Sequence, residues 1–121
     1  MKGSSGLCSS AWCLAQLACV FHRQVREGFL DPEAAERQRS LFLADLDDGI
    51  WELFPLTDSV LRKVGDLTRS LPTSCFLRAG DAVHLVTALE NGFSEIWTND
   101  RHLKAAAVHA GITSLSVVTA Q

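Results

Sequence analysis

Residues 94–103, Ser94-Glu95-Ile96-Trp97-Thr98-Asn99-Asp100-Arg101-His102-Leu103, decide the fold class. Ser94 to Thr98 reads as a short strand, with Ile96 and Trp97 apolar. Asn99-Asp100 then reads as the cap of a helix that runs to Ala110 and stops at Gly111. A further strand follows at Leu115 to Val118. A strand passing through a capped turn into a helix, and from there to another strand, is the repeating unit of a parallel sheet covered by helices.

The chain upstream of this unit keeps the same alternation. Asn91-Gly92 stops a helix from about Gly80 to Glu90, and the loop Thr73 to Leu77 leads into it. Before the loop, Thr57-Asp58 caps a helix with Val60, Leu61, Val64, Leu67 and Leu71 on one face, and Pro72 terminates it. Ile50 to Leu53 reads as a strand closed by Pro55. Asp31-Pro32-Glu33 opens a helix to about Leu46 with a capping Asp, a Pro at the first helical position and an acid in the first turn, and Asp47-Asp48-Gly49 ends it. The first helix spans Ser10 to Arg26, where Leu14, Leu17, Ala18, Phe21 and Val25 recur at three- and four-residue steps, and Gly28 closes it. The expectation is one α/β domain over residues 1–121, a three-layer α/β/α arrangement with a mainly parallel sheet.

Composition agrees with a packed globule. The 121 residues are 47% hydrophobic and 21% charged, and 11 Lys and Arg against 14 Asp and Glu give a net charge of −3. That balance excludes binding to nucleic acid through bulk charge and leaves a local basic patch open. Cys8, Cys13, Cys19 and Cys75 form no C-x-x-C pair and do not combine with His22, His84, His102 or His109 at zinc-site spacing. Three of them fall in an apolar stretch read as helical, where Cys acts as a small hydrophobe, so a reducing, cytoplasmic location is expected. The run Ala11 to Cys19 loosely resembles a signal peptide. It contains Gln16, continues into Phe21-His22-Arg23-Gln24-Val25-Arg26 and is far short of the ~20 apolar residues that span a bilayer, so no membrane is expected.

Ligands of open α/β sheets gather at the carboxyl ends of the strands. Asp100 stands at such a place, and Asp81 opens a helix whose first turn can face the same edge. Two carboxylates there suit a hard divalent ion, while each alone is equally a helix cap. His84, three residues beyond Asp81, can orient that carboxylate or meet a phosphate, and equally reads as a half-buried helix histidine. Arg78, Arg101, His102 and Lys104 flank the two acids and supply the local positive rim that the net charge does not. As an alternative, Arg101 and Lys104 are the solvated face of the last helix.

These residues carry a resemblance. Leu77-Arg78-Ala79-Gly80-Asp81-Ala82-Val83-His84-Leu85-Val86-Thr87-Ala88-Leu89 resembles the third acidic motif of PIN domains, VapC-type toxins in particular, and Trp97-Thr98-Asn99-Asp100-Arg101-His102-Leu103 resembles the fourth. They come in the family's order, and Val25-Arg26-Glu27-Gly28 with Asp31-Pro32-Glu33 resembles its middle helices. The resemblance implies a metal-dependent ribonuclease whose clustered acids hold Mg2+ or Mn2+, which activates water against an RNA phosphodiester. It implies Asp81 and Asp100 as catalytic and metal-binding residues, with Thr98, Asn99, His84 and Arg101 toward the substrate. It also implies a homodimer and a cognate antitoxin as partner.

The chain departs from the family's pattern twice. The family opens on a strand ending in Asp-x-Ser or Asp-x-Thr, and nothing before Leu7 corresponds to it, so the first central strand and its acid are expected to be missing. The second acid aligns with Gln16 within Ser9 to Leu17, and an amide brings no charge to a cation. A sheet without its central strand has unpaired backbone edges, so the expectation is a natural start upstream of Met1, with a partner strand or a rearranged remnant as alternatives. Activity is expected to be impaired. The alternative function is a non-catalytic PIN-like module that binds antitoxin or RNA.

Overall fold

The computed structural model describes residues 7–116. The chain divides into two compact units, with the boundary in sequence between Pro55 and Leu56.

The first unit contains strand β1 (Leu7–Ser10), helices α1 (Cys13–Arg26) and α2 (Pro32–Asp47), and strand β2 (Trp51–Phe54). β1 and β2 pair in parallel, with Leu7 opposite Trp51 and Ser10 opposite Phe54. The Ala11 N–H extends the ladder to the Phe54 carbonyl at 2.8 Å. The expected helix from Ser10 is therefore corrected. Residues 7–10 are strand, and α1 begins at Cys13 because the Ser10 hydroxyl, which is buried, accepts the Trp12 N–H at 3.1 Å and turns the chain. Cys8 consequently lies on β1 rather than on the helix, and Cys19 is exposed. α2 starts as its sequence requires: Asp31 is extended, and its Oδ1 accepts the Ala34 N–H at 2.7 Å ahead of Pro32.

The second unit contains helices α3 (Asp58–Ser70) and α4 (Ala79–Glu90), strand β3 (Glu95–Trp97), helix α5 (Arg101–His109) and strand β4 (Thr113–Leu115). Thr57 caps α3, its hydroxyl accepting the Val60 N–H at 3.1 Å. β3 and β4 pair in parallel, with Ile96 opposite Ser114. Hydrogen bonds from Thr113 N–H to Ser94 and from Thr98 N–H to Leu115, both 2.9 Å, extend the ladder at each end. The last strand is thus Thr113–Leu115 rather than Leu115 to Val118, and Val117 and Val118 lie outside the described residues. Two β-strands in one parallel pair need a crossover, and α5 supplies it. Gly111, with φ +77°, is the left-handed stop that turns α5 toward β4.

The core sits in this second unit. Val60 and Leu67 of α3, Ala82, Val83, Leu85, Val86 and Ala88 of α4, Leu103, Ala106 and Ala107 of α5, and Ile112 are buried. α4 is apolar on nearly every side, which is the mark of a helix surrounded by neighbours rather than laid on a surface. Its one buried polar side chain, Thr87, donates to the Val83 carbonyl at 2.7 Å. In the first unit the only buried apolar residue among those described is Ala35. Among the described residues the four strands form two separate two-stranded sheets.

Candidate active site

The site grows from two helix starts in the second unit. At α5 the chain leaves β3 at Trp97, and the Thr98 hydroxyl accepts the Asp100 N–H at 3.0 Å, which closes the turn. Asp100 is the N-cap. Its Oδ1 accepts the His102 N–H at 2.8 Å and the Leu103 N–H at 2.9 Å. Hydrogen bonding from the Leu103 N–H holds the Asp100 carboxyl below its ordinary value of 3.8; desolvation opposes it, and the His102 N–H and the charges of His102 and Arg78 add to the lowering. Asp100 is therefore an exposed, firmly anionic carboxylate whose two capping bonds fall on one oxygen, Oδ1. The capping reading and the ligand reading are compatible here, because they use different oxygens.

At α4 the sequence expectation of an Asp81 cap is corrected. Arg78 occupies the N-cap position in extended conformation and makes no side-chain capping bond. Asp81 falls in the first turn, half-buried, where the positive end of the helix favours an acid without a direct cap. His84 follows one turn later on the same face. Burial lowers its pKa from 6.5, and the neighbouring Asp81 charge opposes that shift. The imidazole is therefore neutral at pH 7, a donor at one nitrogen and an acceptor at the other.

The remaining expected residues take distinct places. Thr98 serves the turn, Asn99 is exposed at the same loop, and Arg101 is exposed on the first turn of α5. Gln16 is half-buried on α1, in the first unit. Among the described residues no group of three or more His, Cys, Asp or Glu side chains gathers as a metal cage. The donor types still suit a water-rich ion, since Mg2+ needs only one or two carboxylates, with water and substrate phosphate completing its shell; the charges that act on Asp100 are those of His102 and Arg78, while Asp81 acts on His84. One feature escaped the sequence. Phe76, in the loop before α4, packs edge-to-face against His102 and lies under Arg78. An aromatic residue two positions ahead of the Arg78 motif was the available signal.

The comparison with family models gives the class. Residues 2–109 match the model of the PIN domain, so the chain belongs to the PIN domain family. PIN domains are three-layer α/β/α folds and are generally nucleases that use divalent metal ions. Both helix starts described above lie within the matched span. No curated protein and no solved structure matches the chain. Among the described residues no helix is long and apolar enough to cross a membrane.

Proposed function

We propose that the protein is an endoribonuclease of the VapC toxin type, hydrolysing RNA phosphodiester bonds with Mg2+ or Mn2+, and that its activity is weak. The observation that carries this reading is Asp100: an anionic carboxylate whose Oδ1 is spent on the helix while Oδ2 remains for a ligand. Asp81 is the second acid, and the two would hold the ion. When bound, that ion lowers the pKa of water and neutralises charge on the phosphate. The chain's own residues do the rest. Arg101, with Arg78, meets phosphate oxygens, neutral His84 offers a hydrogen bond without adding charge, and Thr98 with Asn99 fixes the loop against the substrate. The reading includes a cytoplasmic location, a homodimer and a cognate antitoxin as partner, and a single PIN-like domain.

Weakness follows from Gln16, which stands where the family's second acid stands and brings no charge. The same residue, together with the absence of a three-acid cluster among the described residues, favours the second reading: a module that binds RNA or antitoxin without cutting. Cleavage of a labelled RNA by the purified chain, with Mg2+ or Mn2+ and with chelator, tests the first. Asp100→Asn keeps a capping acceptor, so the fold is expected to survive while cleavage falls about 100-fold or more. Cleavage equal to that of the parent protein overturns the assignment. Gln16→Glu separates the readings, since calorimetric titration with Mg2+ shows tighter binding for a depleted catalytic site and no change for a binding module.

A further inference from the structure

The loop between α3 and α4 places an aromatic ring where its own burial cannot explain it. Phe76 is 50% exposed. The ring is nevertheless fixed on two sides: the His102 imidazole meets it edge-to-face, with centroids 4.8 Å apart and planes at 66°, and the Arg78 guanidinium lies 5.7 Å from its centroid. Those same two residues are the charges that act on Asp100. Phe76 thus belongs to the surroundings of the Asp100 carboxylate, although 24 positions separate them in sequence. Among the described residues the ion pairs of this unit are made by Arg62, Lys63 and Arg69, and none by Arg78 or Arg101. A half-open ring with the Arg78 guanidinium beside it combines the two elements of single-strand recognition, a π-face for a base and a cation for a neighbouring phosphate. A base can reach such a ring only when it is unpaired, because a duplex presents edges and backbone.

We propose that Phe76, positioned by His102 and Arg78, is a stacking platform for an unpaired nucleobase of single-stranded RNA and seats the strand beside Asp100. The proposal rests on the nuclease reading above and names the residue that seats the strand at that site. The platform discriminates by base pairing rather than by sequence, since every base has a π-face. Arg78 acts on the phosphate and so contributes alike to bases of any kind.

Equilibrium filter binding with chelator present, using a short oligouridylate, its duplex with oligoadenylate and an abasic strand of the same length, reads the platform without cleavage. Phe76→Ala is expected to weaken oligouridylate binding by roughly 5- to 150-fold, the range for one lost base stack. It is expected to leave the abasic strand unaffected, and Phe76→Trp is expected to match or tighten the parent. A circular dichroism spectrum and melting point equal to the parent's establish that the Ala variant is folded; should it unfold, Phe76→Trp and Phe76→Leu carry the same comparison. Oligouridylate binding that Phe76→Ala or Phe76→Leu leaves unchanged, or an equal loss on the abasic strand, overturns the platform and leaves the nuclease reading standing. A Phe76-dependent complex that is never cut with any divalent ion supports the platform and overturns the nuclease. Failure of the parent to bind oligouridylate overturns both.

Discussion

The two units of the chain are built from similar elements and differ in what they bury. Among the described residues each has a pair of short parallel strands, with two helices in the first unit and three in the second, and each starts a helix with a capping side chain, Asp31 in one and Thr57 in the other. Among the described residues the second unit buries eleven apolar side chains, centred on Leu85 at 0% exposure, while the first buries only that of Ala35. Leu14, Phe29 and Leu41 of the first unit are 43%, 71% and 66% exposed. Secondary structure is therefore no guide to where stability lies. Burial of apolar area, at about 25 cal/mol per Å2, supplies most of the driving force, and here it is concentrated around one helix.

The sharpest way to break this comparison is to remove an equal side chain from each unit. Leu85→Ala is expected to cost about 2–5 kcal/mol, read from the denaturant midpoint of the far-UV circular dichroism signal. Leu46→Ala, at a half-buried position of α2, is expected to cost about 1 kcal/mol or less. Equal losses would show that the first unit has a core of the same quality. Hydrogen exchange sharpens the contrast along the backbone, since the amides of α4 are expected to exchange only on global opening and those of α1 and α2 by local opening. Uniform protection of all helices would remove the distinction.

Smaller effects test the ends of the helices. Thr57→Ala removes the acceptor of the Val60 N–H and is expected to cost about 1 kcal/mol in the main unfolding transition. Asp31→Ala removes the corresponding acceptor in α2, and its effect should appear as faster exchange in that helix rather than as a shifted midpoint. The smallest effect concerns thiols. Burial pushes the Cys13 thiol above its ordinary value of 9.0, against a partial offset from the Ser9 hydrogen bond, whereas Cys19 is exposed. Alkylation near pH 8 should therefore modify Cys19 first, with the lag of Cys13 shrinking as pH rises through 9.0. Peptide mapping by mass spectrometry reads the order, and simultaneous modification would deny the burial of Cys13.

Local chemistry was legible in the sequence and long-range pairing was not. Asp31-Pro32, Thr57 and Asp100 each announce a helix start within four residues, and each start is where the sequence puts it. β1 follows from the family resemblance, which implies a strand near Leu7, and not from its own residues, because Leu7-Cys8-Ser9-Ser10 has almost no strand-forming residues and its conformation comes from pairing with Trp51–Phe54, more than forty positions away. Asp81 was legible as an acid at a helix start but not as a first-turn residue behind an extended Arg78. Of the site, the motif residues could be read singly. The ring of Phe76 against His102 could not, since it depends on how the loop after Pro72 returns to α5.

The tryptophans fall on both sides of the same divide. Trp12 and Trp51 belong to the first unit, where Trp51 lies against Phe42 with centroids 6.1 Å apart, and Trp97 belongs to the second, 68% exposed on β3. Nature has thus left each half of the molecule with its own optical reporter. Trp97 is already solvated and emits to the red in the folded state, and iodide reaches it first. Trp51 instead leaves a half-buried place against Phe42 on unfolding, so a red shift that survives iodide quenching of Trp97 reports the opening of the first unit.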